Sequence, residues 1–146
     1  MIAYVDSSML TRAYLVDELG HAAAVATLAD PECVAVTGTW TRVEVSGAIV
    51  RAARHRRSID ADHLLHALDI DLGGDGAITV LTAPQDEIER SALELARAHG
   101  LRAMDAWHLA VAALVVPPLA LGDPMGFASR DADQAQIAES FGFLTL

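Results

Sequence analysis

Ile2-Ala3-Tyr4-Val5-Asp6-Ser7-Ser8 is the stretch of sequence on which the fold depends. Its first four residues form a short apolar run of the kind found in strands, and Asp and Ser are favoured at helix N-termini. The stretch therefore predicts a strand over residues 2–5 that leads directly into a helix over residues 8–17. A strand followed at once by a helix is the repeating unit of parallel α/β sheets.

The same unit recurs along the rest of the 146-residue chain. Apolar runs predict further strands over residues 33–37, 78–81, 125–129 and 143–146. Helical periodicity and end signals predict helices over residues 21–28, 39–56, 61–72 (capped by Asp60), 85–99, 105–116 (stopped by Pro117 and Pro118) and 132–141. This alternation predicts one domain over residues 1–146, a three-layer α/β/α fold with a central parallel sheet of four to five strands.

Composition restricts the classes of protein to which the chain can belong. Hydrophobic residues make up 53% of the chain and charged residues 21%, which argues against disorder. Cys33 is the one cysteine, so an intramolecular disulfide and a thiolate metal cluster are both excluded. The first apolar run ends at Asp6 and is too short for a secretory signal. We therefore expect a cytoplasmic protein that binds no membrane.

The charge balance is acidic, with 20 Asp and Glu against 10 Arg and a formal net charge of −10. This balance argues against simple electrostatic binding of nucleic acid, but it supplies the oxygen ligands that hard divalent cations need. The dense basic cluster lies at the end of the predicted helix over residues 39–56 and contains Arg51, Arg54, Arg56 and Arg57. These arginines could bind phosphates, or they could only offset the dipole at a helix C-terminus.

Two aspartates follow predicted strands. Asp6 ends the first strand and Asp131 follows the fourth, and in parallel α/β sheets ligands bind beyond the carboxyl ends of the strands. Each residue also has a purely structural interpretation as a helix N-cap, and Asp131 with Gln134 has the spacing of a capping box.

Two further carboxylates lie in apolar helical surroundings. Glu44 sits among Trp40, Val43 and Ala48, where a charge must be paired or metal-bound. Its alternative partner is an arginine such as Arg12 or Arg42.

Asp105 begins a very apolar helix beside the buried stripe of that helix, and its alternative role is again an N-cap. His108, one turn further on, is interpreted either as orienting Asp105 or as packing beside Trp107.

Convergence of these carboxylates would favour a bound cation. Two carboxylates ~5 Å apart repel by about 3 kcal/mol at an effective dielectric near 20. Mg²⁺ or Mn²⁺ removes such repulsion, prefers oxygen ligands and keeps water molecules for chemistry. The cluster as a whole therefore favours a metal site over four unrelated structural roles.

Four segments in this order and spacing resemble the PIN domain, in particular the toxin nucleases of bacterial VapBC toxin–antitoxin pairs. The segments, which together span essentially the whole chain, are Val5-Asp6-Ser7-Ser8, Arg42-Val43-Glu44-Val45, Asp105-Ala106-Trp107-His108-Leu109-Ala110 and Phe127-Ala128-Ser129-Arg130-Asp131. The third is the most specific match.

The resemblance implies that Asp6, Glu44, Asp105 and Asp131 form a catalytic site for Mg²⁺ or Mn²⁺. It implies endonucleolytic cleavage of RNA by metal-activated water, a homodimer, and silencing by a VapB-type antitoxin. Residues expected to contact the RNA are Ser7, Ser129, Arg51, Arg54 and Arg57. The connection over residues 116–125 is longer than is usual in the family, so Asp133 is an alternative to Asp131.

Two other functions remain open at the level of sequence. A PIN-like module without catalysis would bind RNA or protein only. An aspartyl phosphatase would use Asp6 as its nucleophile and needs a second acid two residues later, where this chain has Ser8.

Overall fold

The computed structural model describes residues 1–55 and 59–146. Within these ranges the strands are β1 (Ile2–Val5), β2 (Val34–Gly38), β3 (Thr79–Leu81), β4 (Met125–Ala128) and β5 (Phe143–Thr145). The helices are α1 (Ser7–Tyr14), α2 (His21–Leu28), α3 (Thr41–His55), α4 (Ala61–Asp71), α5 (Gln85–His99), α6 (Ala103–Ala120) and α7 (Ala132–Glu139). Every predicted strand and helix is present, with most ends shifted by a few residues. The end of the predicted helix over 39–56 lies partly outside the described residues.

The strands form one parallel sheet in the order β3-β2-β1-β4-β5. From β1 the chain adds β2 and then β3 on one side, and β4 and then β5 on the other side of β1. Val5 lies opposite Ala128, and the Asp6 amide donates to the Ala128 carbonyl at 3.0 Å. The order of strands therefore reverses between β1 and β4, which is where such sheets bind ligands.

Helices cover both faces of the sheet, and alternation along the strands assigns a core to each face. Tyr4 and Phe127 point into a core with α5, α6 and α7. Val5 and Ala128, the next residues along each strand, point into a second core with α1, α2, α3 and α4. The predicted α/β/α architecture is confirmed, with five strands in the sheet.

The prediction that Pro117 and Pro118 stop α6 was wrong, because the helix continues to Ala120. Both prolines are exposed in the last turn, so only the carbonyls of Ala113 and Leu114 lose their helical donors. Buried Val116 and Ala120 keep that turn packed on the core. Within the described ranges α6 is the one helix long and apolar enough to cross a membrane, and half of it is buried, as in the core helix of a globular protein.

Candidate active site

A cleft of about 320 Å³ opens at the carboxyl edge of the sheet, beyond β1 and β4. Its lining comes from the starts of α1 and α6 and from the segment between β4 and α7, and consists of Asp6, Ser7, Ser8, Arg102, Asp105, Arg130 and Asp131. Three of the four predicted carboxylates therefore line one cleft, although they are up to 125 positions apart in sequence.

Asp6 is the most buried of these carboxylates, with 3% of its surface exposed. Its Oδ1 atom accepts hydrogen bonds from the Met9 amide at 3.0 Å, as a helix N-cap, and from the Ser8 hydroxyl at 2.7 Å. Its Oδ2 atom lies 2.8 Å from the Ser129 hydroxyl. The predicted N-cap role is confirmed. These three neutral donors leave one of the four lone-pair positions of the carboxylate free.

Burial raises the pKa of Asp6, although hydrogen bonds from Ser8, Met9 and Ser129 and the charge of His108 lower it. Among residues 1–55 and 59–146, no arginine or histidine forms an ion pair with this carboxylate. A buried ionised carboxylate that lines a cleft and has only neutral hydrogen-bond donors is suited to a cation.

Arg102 bridges the other two carboxylates of the cleft. Its Nε atom lies 2.6 Å from Asp105 Oδ2, and a terminal guanidinium nitrogen lies 3.1 Å from Asp131 Oδ2. Asp131 also caps α7 through Oδ1, as predicted, whereas Asp105 lies in the first turn of α6 and Arg102 occupies the N-cap position. The alternative interpretation of Asp105 as an N-cap was therefore wrong.

Gln134 links Ser129, beside Asp6, to the backbone of Asp105. It is fully buried, donates from its amide nitrogen to the Asp105 carbonyl at 2.9 Å, and lies 2.6 Å from the Ser129 hydroxyl through its amide oxygen. The single proton of Ser129 is therefore shared between Gln134 and Asp6. The predicted capping box forms only in part, because the Gln134 side chain binds Ser129 and Asp105 and makes no bond to the Asp131 amide.

Glu44 lies at one side of this cleft, in the first turn of α3. Its Oε2 atom lies 2.6 Å from His108 Nε2, so the predicted pairing with Arg12 or Arg42 was wrong, and so was the interpretation that His108 orients Asp105. Partial burial acts to raise the pKa of Glu44, but the hydrogen bond and charge of His108, with a hydroxyl from Ser7, lower it overall. Ser7 lines the cleft and Glu44 does not, so Glu44 adjoins the cleft through its contact with Ser7.

The donor set suits a hard divalent cation, although it is not gathered around one point. In the described part of the chain, no group of three or more His, Cys, Asp or Glu side chains is close enough to hold a metal ion. Arg102 already neutralises Asp105 and Asp131, and its side chain is 78% exposed. An exposed ion pair contributes little to stability. The types of oxygen donor in the cleft, and not a preformed arrangement of them, are therefore what suits Mg²⁺ or Mn²⁺.

Of the remaining predicted site residues, some lie at the cleft and others lie away from it. Ser7 lines the cleft and Ser129 contacts Asp6, whereas Asp133 is exposed and does not line it. Arg51 and Arg54 are exposed on α3, outside the lining of the cleft. Arg57 lies outside the described residues.

Sequence reasoning missed Arg102 and Gln134 and assigned no function to Tyr4, which bonds to His108. The spacing of Arg102 and Asp105, three residues apart at a helix start, was the available signal for their pair.

Substituting Asp6 and Glu44 separately is expected to change stability in opposite directions at neutral pH without metal. The raised pKa of Asp6 means that its ionised form destabilises the fold, so Asp6→Asn should raise the melting temperature. The lowered pKa of Glu44 means that its ionised form stabilises the fold, so Glu44→Gln should lower it. Thermal unfolding in EDTA, followed by circular dichroism, measures both shifts.

The pH dependence of the melting temperature checks the direction of both shifts. Protonated Asp6 stabilises the folded state fully below 3.8, the usual pKa of the group, and this contribution is lost as pH rises through the raised pKa that Asp6 has in the folded protein. The increase in melting temperature caused by Asp6→Asn should therefore disappear in acid. The contribution of Glu44 is present above its usual pKa of 4.5 and is lost as pH falls through its lowered folded pKa. Equal shifts of the same sign for both variants at pH 7 would contradict this assignment.

Comparison with known protein families agrees with this architecture. A model of the PIN domain family matches residues 3–140, from β1 to the end of α7. The matched region includes Asp6, Glu44, Asp105 and Asp131. No match was found among curated proteins.

Proposed function

The chain belongs to the PIN domain family, and on that premise we propose that it is a Mg²⁺- or Mn²⁺-dependent endoribonuclease, the toxin of a type II toxin–antitoxin pair of the VapBC kind. PIN domains are generally nucleases, so the fold is of a nuclease type. The observation that carries the proposal is the cleft at the carboxyl edge of the sheet, which Asp6, Asp105 and Asp131 all line.

In this proposal Asp6 and Asp105 would hold the cation, and Glu44 and Asp131 would complete the site. When bound, Mg²⁺ or Mn²⁺ supplies a Lewis acid that activates water for attack on a phosphodiester and offsets the developing charge. Ser129 and the buried Gln134 fix the orientation of Asp6 and of the backbone that carries Asp105. The protein thereby presents oxygen ligands on a rigid base.

The substrate would be held by hydroxyls and arginines around the cleft. Ser7 lies in the lining, and Arg102, once released from Asp105 and Asp131, is free to contact a phosphate. Arg51 and Arg54 on α3 provide further positive charge for the RNA backbone in a chain whose net charge is −10. Because the salt dependence of binding grows with the number of phosphate contacts, binding that depends on so few arginines should weaken only modestly with salt.

Removing Arg102 is expected to strengthen metal binding. Arg102 and a divalent cation compete for the same oxygens of Asp105 and Asp131, so Arg102→Ala should bind Mn²⁺ several-fold more tightly, as measured by isothermal titration calorimetry without RNA. RNA cleavage should nevertheless fall, because the phosphate contact is lost.

The matched control is Arg130→Ala, since Arg130 also lines the cleft but pairs with Glu18 at 3.1 Å. It should leave the Mn²⁺ affinity unchanged. If Arg102→Ala bound Mn²⁺ no more tightly than Arg130→Ala, competition between arginine and metal would be refuted.

The partners in this proposal are a cognate VapB-type antitoxin and a second copy of the chain, both in the cytoplasm. Support for a protein partner comes from exposed apolar side chains beside α1 and α2. Val16 is 77% exposed, Leu19 84% and Val25 42%. Large apolar side chains grouped on a surface are typical of an interaction site.

One observation favours a second candidate, a PIN-like module that binds without catalysis. Each of the four carboxylates has a partner within the chain: Arg102 for two, His108 for Glu44, and hydroxyls for Asp6. The aspartyl phosphatase has less support, because Asp6 is too buried for a nucleophile and its neighbour Ser8 is engaged with Asp6 and the Arg130 amide.

Metal-dependent cleavage of RNA separates the candidates. The purified chain is incubated with total RNA in EDTA and then with excess Mn²⁺ or Mg²⁺. The proposal requires no cleavage in EDTA and discrete fragments after metal is added. Binding of RNA with no cleavage at any metal concentration would establish the binding module instead, and a trapped aspartyl phosphate on Asp6 would indicate the phosphatase.

A further inference from the structure

His108 occupies a central place among three elements of the fold. The residue is 1% exposed and lies on α6. Its Nε2 atom lies 2.6 Å from Glu44 Oε2 on α3, and its Nδ1 atom lies 2.9 Å from the Tyr4 hydroxyl on β1. Both ring nitrogens therefore bind side chains that are 64 and 104 positions away in sequence.

The chemistry of the two partners orients the imidazole ring. An ionised carboxylate can only accept, so Nε2 carries the proton that binds Glu44. The Tyr4 hydroxyl lies 2.9 Å from Nδ1 and carries a proton that it can donate to that nitrogen. Nε2 therefore donates to Glu44 whether or not the imidazole is charged, and in the uncharged ring Nδ1 accepts from Tyr4.

Tyr4 is itself held rigidly, so the whole chain of contacts is fixed. Its ring stacks on Phe127 with centroids 5.6 Å apart and meets the His108 ring edge-on at 5.9 Å. Gly38 at the end of β2 leaves space for the hydroxyl, since a Cβ there would lie 2.7 Å from it. A residue with a side chain at position 38 would push the hydroxyl away from His108.

This arrangement matters for Glu44, whose side chain is flexible and 28% exposed. His108 binds one carboxylate oxygen, Oε2, and thereby holds the other oxygen in a restricted set of positions beside Ser7 and the cleft. Ligands of metal ions are commonly oriented by a partner of this kind, and loss of the partner weakens metal binding.

We propose that His108 is a positioning residue that holds the Glu44 carboxylate ready for a divalent cation in the cleft, with Tyr4 fixing the orientation of the imidazole. The inference rests on the proposed function, because it needs Glu44 to serve as a ligand. It adds to that function a series of hydrogen-bonded side chains, Tyr4, His108 and Glu44, that connects the central strand of the sheet with the cleft.

The test compares two amide substitutions at one position. In His108→Gln the amide nitrogen reaches the place of Nε2 and can still donate to Glu44, whereas in His108→Asn the shorter amide reaches only the place of Nδ1. We expect His108→Asn to lower the Mn²⁺ affinity by roughly 10- to 100-fold in calorimetry, with a comparable loss in kcat. His108→Gln should recover much of both.

Two further measurements separate positioning from folding. Thermal unfolding in EDTA reports whether each variant is folded, and Val115→Ala, a small deletion two turns along the same helix, should lose stability without losing Mn²⁺ affinity. Tyr4→Phe, which keeps the ring in the core and removes only the hydroxyl, should weaken Mn²⁺ binding several-fold and serves if His108→Asn does not fold.

The outcomes distinguish this inference from the proposed function. If wild-type protein binds Mn²⁺ and cleaves RNA while His108→Asn and Tyr4→Phe keep full Mn²⁺ affinity, His108 is only a structural residue and the inference fails alone. If wild-type protein neither binds Mn²⁺ nor cleaves RNA, the proposed function fails and the positioning role fails with it.

Discussion

Asp105→Asn is expected to abolish RNA cleavage while the protein stays folded. The substitution removes the charge from a carboxylate that lines the cleft and that Arg102 binds at 2.6 Å. Loss of a residue that merely orients a metal ligand costs about 10- to 100-fold, so loss of a ligand should cost roughly 100-fold or more. Initial rates on RNA with Mn²⁺ measure the effect.

Asp62→Asn provides the control for this experiment, because Asp62 also lies in the first turn of a helix but is exposed on α4, away from the cleft. It should cleave RNA at the wild-type rate. Circular dichroism spectra of both variants should match the wild type, since the Asp105 backbone contact to Gln134 does not need the carboxylate. Full activity in Asp105→Asn would remove this residue from the site.

Phe127→Ala is expected to cause the largest loss of stability. Phe127 is fully buried on β4, stacks on Tyr4 and meets Phe143 edge-on with centroids 6.0 Å apart. Removing a buried phenylalanine ring costs about 3–5 kcal/mol, a large part of the 5–15 kcal/mol typical of a folded domain. The melting temperature should therefore fall by roughly 10 °C.

The control is Phe141→Ala, which also removes a phenyl ring, but from a side chain that is 41% exposed. It should lower the free energy of unfolding much less than Phe127→Ala does. Urea unfolding of both variants provides the comparison of free energies. Because β4 leads directly to Ser129 and Asp131, Phe127→Ala should also weaken Mn²⁺ binding. A free energy of unfolding within ~1 kcal/mol of the wild type would show that this aromatic group is not the support of the sheet that we infer.

The fold could be predicted from the sequence because its signals are local. Apolar runs such as Ile2–Val5 end at residues that favour helix starts, and Asp6, Asp60 and Asp131 all act as the N-caps that their side chains predict. The end of α6 could not be predicted, because the proline penalty is local whereas the packing of Val116 and Ala120 that outweighs it depends on the assembled core.

The site was predictable only in part. The positions of Asp6 and Asp131 follow from strand order, since both lie just beyond neighbouring parallel strands. Their partners do not follow from it, because Arg102 reaches Asp131 across 29 residues and His108 reaches Glu44 across 64. Such pairs depend on the angles at which helices pack, and no local pattern encodes them.

The contacts divide the four carboxylates into two groups with different consequences. Asp105 and Asp131 share Arg102, whose own side chain is 78% exposed. Asp6 and Glu44 are held by buried or half-buried hydrogen bonds and keep their positions. A divalent ion would therefore meet two fixed oxygen ligands and two that first have to release Arg102.

A crystal grown with Mn²⁺ and measured at the manganese absorption edge would show whether the cleft binds a divalent cation. We expect an anomalous difference peak in the cleft, roughly 2.1 Å from carboxylate oxygens of Asp6 and Asp105, with Arg102 turned away from both of its present partners. A map with no peak there at saturating Mn²⁺, and with Arg102 still bridging Asp105 and Asp131, would contradict this expectation.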